Sequence, residues 1–188
     1  MTRLLLASVL AAIAMFVWGF LFWGISPLPG SVMKPVEQVP EVQAALKRSF
    51  PESGAYFVPP PPGDPEQTAA WHEAGPLAMV HIRREGAPMM DPGVMFWGFV
   101  HGWVVCLLLG WLLGSAAPAL PGYVGRVAFL TVAGFAAALF IDYGSIIWWY
   151  SDRSWQLLDL SYHTGAWLVA GLVLAAFPPR TGASGRTG

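Results

Sequence analysis

The chain has 188 residues, of which 55% are hydrophobic and 11% charged, against about 25% charged in a soluble domain, so it reads as a membrane protein. With 10 basic residues against 11 acidic ones there is no cationic face for nucleic acid, which is excluded as a partner. Cys106 is the single cysteine, which rules out an internal disulfide and any cysteine cluster for zinc or iron–sulfur.

Leu4 to Ile25 is an apolar run of spanning length behind one positive charge, Arg3. Ala12 and Ala14 give the small-x-small pattern of a secretory signal, but the apolar run continues about ten residues further, longer than a signal core. Residues 1–26 are therefore read as an uncleaved transmembrane anchor. Residues 27–93 form the only extended polar stretch and carry 13 of the 17 prolines. Within it, Pro40 followed by EVQAALKRSF predicts a short helix opened by proline and stopped by Pro51 and Gly54. Ala55 to Val58 has strand composition, can pair with Leu77 to Ile82, and leads into the stiff, extended run Pro59 to Pro62. Asp64 as N-cap, Pro65 as first residue and Gly75 as stop predict a second helix. The apolar content of this small α+β segment is thin, so it should lean on membrane helices or a partner.

Residues 94–115 form the second span. Its small residues Gly98, Gly102, Cys106, Gly110 and Gly114 fall at every fourth position, one face of a helix. Such a face lets a neighbouring backbone approach closely, and the row reads as the seam against which the other helices dock. Residues 124–147 form a third span after a turn marked by Pro118 and Pro121-Gly122, and residues 157–177 a fourth. Residues 178–188 read as a disordered tail. Trp18, Trp23, Trp97, Trp148, Trp149 and Tyr150 lie near span ends, where aromatic rings anchor helices at the headgroups. The fold expected is all-α and membrane-embedded: a four-helix bundle with a proline-rich α+β extracytoplasmic segment between its first two helices.

Four spans place both termini on one side. Arg3, Arg126, Arg180 and Arg186 fall on that side, against Arg153 alone in a short loop opposite. The basic side should be cytoplasmic, which puts residues 27–93 in the periplasm of a bacterial inner membrane.

That topology brings His101, Asp142 and His163 to a similar depth, each about 7 to 10 Å from the outer ends of three helices. Asp159 is one turn from His163 on the same face, placed to accept its ring proton. Ionisable groups in hydrocarbon are costly unless paired or wetted, so these should point into the bundle. Asp142 reads either as a proton- or ligand-handling group that orients a histidine, or as a carboxylate at the interface. His101 and His163 read as partners of other side chains, as contacts for a quinone or lipid headgroup, or as ligands to haem or a metal. His72 and His81 lack metal-ligand spacing, and no metal site is predicted.

No phosphate loop, G-x-S-x-G, H-E-x-x-H or C-x-x-C-H is present, and the spans show no inverted repeat or broken helix, so neither a familiar hydrolase nor a stand-alone transporter is expected. Val17 to Phe20, Gly54 to Pro59 and Gly75 to Ala78, with the last three spans, resemble small bacterial inner-membrane proteins that pair an anchor, an outer segment and three further helices. The resemblance implies a four-helix membrane fold and no activity. A chain rich in packing features and poor in catalytic ones is expected to be a non-enzymatic accessory or scaffold subunit, with membrane lipids and other membrane subunits as partners and no cofactor. The alternatives are a quinone- or haem-interacting protein using His101, Asp142, Asp159 and His163, and a lipid-binding module.

Overall fold

The computed structural model describes residues 2–60, 64–120 and 122–177, in two compact units, Met1–Met33 with Pro92–Gly188 and Lys34–Asp91. In chain order the elements are α1 (Thr2–Gly19), a π-helical turn Phe20–Ile25, α2 (Leu28–Val32), α3 (Val39–Ser49), β1 (Gly54–Val58), α4 (Pro65–Ala74), β2 (Ala78–Ile82) and α5 (Pro92–Ala116). A 3-10 turn Ala117–Ala119, α6 (Tyr123–Ala138), a second π-helical turn Leu139–Tyr143, α7 (Gly144–Trp148) and α8 (Arg153–Ala175) complete it. Four stretches, Thr2–Ile25, Pro92–Ala119, Tyr123–Trp148 and Arg153–Ala175, are long and apolar enough to cross a bilayer. The chain is thus a multi-pass membrane protein. The tail 178–188, Pro121 and the second half of the proline run fall outside the described residues.

The first unit is organised around α8, not around the glycine-rich α5. Helix α8 packs along α6 on one side and α1 on the other, and α5 packs along α1 while only grazing α6 and α8. Chain neighbours α5 and α6 are therefore the ends of an arc that runs α5, α1, α8, α6. The physical reason is close approach: where lipid is as apolar as the helices, association follows backbone proximity rather than hydrophobicity. Helix α1 buries Ala7, Ser8, Ala11 and Ala12, and α8 buries Ala166, Ala170 and Gly171. Gly134 of α6 lies under Trp167 of α8 so tightly that a Cβ would come within 2.0 Å of the indole. On α5 the row of small residues divides. Cys106 is fully buried in the core with Leu109 and Leu113, and Gly110 meets Leu4, whereas a Cβ at Gly98 or Gly102 would touch nothing within 4 Å.

Polar groups close the helix ends. Arg126 donates from Nε to the Leu120 carbonyl (2.9 Å) and from Nη1 to that of Ala175 (3.3 Å), which satisfies a carbonyl left open at the end of α8. The Trp103 indole donates to Ser8 Oγ at 3.0 Å, and Ser8 donates in turn to the Leu5 carbonyl at 2.8 Å, joining α5 to α1.

In the second unit local signals decide the elements. Asp64 caps α4 by accepting from the Glu66 amide, Pro65 opens it and Gly75 ends it, and Pro40 lies in the first turn of α3. Strands β1 and β2 pair antiparallel, with Gly54 opposite Ile82 and Val58 opposite Ala78. Arg84 donates to the carbonyls of Phe50 and Pro51, and the tilted rings of Tyr56 and Phe50 meet with centroids 4.8 Å apart. No described residue between Lys34 and Asp91 is fully buried, so among them the unit has a two-stranded sheet but no core of its own.

Candidate functional site

The site forms where α6 meets α8. Leu130, Gly134, Ala138 and Asp142 are the buried residues of the third span, spaced by four along one face. Small residues at 134 and 138 let α8 come close enough for a short carboxylate to reach across. The π turn Leu139–Tyr143 widens the helix at that point, which keeps residue 142 more nearly in line with residue 138 than an α turn would; such bulges recur at functional positions.

Asp142 Oδ2 lies 2.8 Å from His163 Nδ1, with the aspartate side chain 5% exposed and the histidine 42%. With Asp142 ionised, Nδ1 carries the hydrogen, and the other ring nitrogen is an acceptor in neutral imidazole or a donor in imidazolium. Of the two carboxylates read as able to serve a histidine, Asp142 makes the contact with His163 and Asp159 does not. Asp159 instead stands beside Trp155 and within electrostatic reach of both members of the pair. Asp142 prevails because it approaches from a neighbouring helix pressed against α8, whereas Asp159 leans one turn away towards the start of its own helix.

Aromatic rings wall one side of the pair. Tyr162 contacts His163 at 5.3 Å between centroids and also meets Phe22 and Trp23, both at 5.3 Å, and Trp23 meets Trp155 in a tilted contact at 5.5 Å. The π turn Phe20–Ile25 delivers Phe22 and Trp23 to this cluster. Trp18 donates from Nε1 to the Tyr162 carbonyl at 3.1 Å, and its ring lies 2.4 Å from where a Gly165 Cβ would be.

Of the six aromatics expected at the headgroups, Trp18 and Trp23 are thus interhelical contacts, whereas Trp97, Trp148, Trp149 and Tyr150 are exposed. His101 does not join the pair: it is exposed on α5 and makes no hydrogen bond or ion pair among the described residues. Among those residues no three His, Cys, Asp or Glu side chains gather in a way that could hold a metal ion. Sequence reasoning missed the role of Tyr162, Trp155 and Trp167. Their signal was present in the small residues Gly165, Ala166, Ala170 and Gly171, which mark α8 as a close-packing helix.

Chemically, the arrangement is a carboxylate-oriented imidazole, half open to its surroundings, at one end of a membrane bundle. No protein-family model, curated protein or solved structure matches the chain.

Proposed function

We propose that this chain is a non-catalytic subunit of a larger assembly in a bacterial inner membrane, with both termini cytoplasmic and residues 27–93 in the periplasm. The observation that carries the reading is the open half of α5. Gly98 and Gly102 have empty space where a Cβ would go, and between them His101 presents an imidazole with no hydrogen-bond or ion-pair partner among the described residues. An ionisable group facing hydrocarbon costs several kcal/mol by the larger estimates, and a glycine pair four apart is the standard allowance for a second helix at close range. A partner helix bearing a hydrogen-bonding group fits both features.

The Lys34–Asp91 unit adds support. It has no buried centre among the described residues, and α3 exposes Val39, Val42 and Leu46 along one face, so it gains stability by covering that face with another protein. Purification in a mild detergent tests the reading. A stoichiometric co-purifying membrane protein is expected, and a monodisperse, lone monomer from native membranes would overturn it.

The Asp142–His163 pair favours a second reading, in which the protein meets a membrane quinone. The ring nitrogen of His163 not held by Asp142 offers a hydrogen bond to a quinone oxygen, and Tyr162 lies beside it. An organic extract of the purified protein, with its absorption spectrum, decides: a bound quinone supports this reading, and an extract without quinone or haem bands removes it.

A further inference from the structure

Where α1 begins and α5 and α8 end, at the opposite end of the bundle from Asp142 and His163, the helices leave a half-open cleft of about 700 Å³. That size is within the range of small-molecule sites. Its floor is apolar: Leu113 and Leu174 are 1% and 2% exposed and belong to the bundle core. Gly110 and Gly114 line the α5 wall, and Leu4 of α1 packs against Gly110 there. Ser115 and Arg3 provide the polar rim, and Arg3 is exposed with no hydrogen bond or ion pair among the described residues.

The geometry points to a binding site for one anionic phospholipid, its phosphate on Arg3 and an acyl chain laid in the cleft against Leu4, Trp111 and Phe177, above the buried Leu113 and Leu174. Three features converge on that class of ligand. Arg3 stands at the end of an apolar helix, the height at which long cationic side chains reach the headgroup region. The cleft runs from that level along more than a turn of α5, so an occupant needs a polar head and an apolar body. The lining offers a positive charge and the hydroxyls of Thr2 and Ser115 but no carboxylate, which favours an anionic over a zwitterionic head. A basic pocket between membrane helices is also a recurrent way of holding acidic lipids. Free phosphate would use the rim and leave the apolar hollow unfilled.

The protein purified in neutral detergent is mixed with equal amounts of phosphatidylglycerol and phosphatidylcholine, and retained lipid is counted by native mass spectrometry. Phosphatidylglycerol should be retained about fivefold over phosphatidylcholine, the contribution of one basic residue near a membrane surface. R3Q should bring the two lipids level, whereas R153Q, at the far end of the bundle, should keep the preference. A chain lacking residues 178–188, which removes Arg180 and Arg186, should keep it too. Phosphatidylglycerol with a photoreactive acyl chain should label the segments containing Leu113 and Leu174. Equal retention by the unmodified protein, a preference lost in R153Q or with the tail, displacement by glycerol phosphate, or labelling elsewhere would each overturn the assignment.

Discussion

Replacing single glycines by alanine separates the helix faces that are packed from those that are open. In a helix the exchange is favourable by up to about 1 kcal/mol when the new methyl meets nothing, because glycine orders at a greater entropic cost. At Gly134 the methyl would lie 2.0 Å from Trp167 Cγ and Cδ2 and 2.4 Å from Trp167 Cβ. The Cβ contact matters most, since no rotation about χ1 moves that atom, and α6 must retreat from α8. Overpacking of this kind costs about 1–3 kcal/mol. The same retreat would stretch the 2.8 Å bond between Asp142 and His163. For a chain of this length a loss of about 2 kcal/mol lowers a thermal midpoint by about 4–8 °C. G134A should therefore unfold that much earlier in detergent, followed by Trp fluorescence or circular dichroism. G98A and G102A, where nothing lies within 4 Å, should match or slightly exceed the parent protein. If G134A were as stable as G98A, the packing of α6 on α8 would be wrong.

D142N keeps the shape and removes the charge that His163 meets, so a loss of about 1.5–3 kcal/mol is expected, as for a hydrogen bond to a charged group. H163Q should lose a similar amount and the double variant little more, because the two act as a pair; strictly additive losses in the cycle would contradict that. In the Lys34–Asp91 unit, Glu85 is held below the ordinary carboxylate range by its own backbone amide first and by the Ser53 hydroxyl, 2.9 Å away, second. A carboxyl whose folded value is depressed stabilises the fold above its unfolded value and loses that contribution as pH falls through the folded one. Amide protection across β1 and β2, taken relative to the intrinsic exchange rate at each pH, should therefore fall on acidification through that range, and E85Q should flatten the dependence; an unchanged profile in E85Q would refute the link.

Local chemistry made much of the fold legible. Asp64, Pro65 and Gly75 mark the limits of α4, because caps are written within a few residues, and β1 and β2 pair as their strand composition indicated although α4 lies between them. The four spans follow from length and apolarity alone. The hub was not legible in the same way. Apolarity and a regular glycine row single out α5, yet α8 carries the packing although it is the least apolar of the four spans, since its small residues and Trp167 matter through what faces them. For the same reason the depth shared by His101, Asp142 and His163 did not bring all three together. Depth can be counted along a helix, but azimuth depends on the arc of neighbours and on a π turn that no residue pattern announces.

The docking face on α5 is tested most directly by photo-crosslinking in native membranes, with a photoreactive amino acid placed at position 98, 101 or 102 and, as a control, at the exposed position 132 of α6. A discrete protein adduct from positions 98, 101 and 102, absent from position 132, is the expected result. Lipid adducts alone at all four positions would contradict the subunit reading.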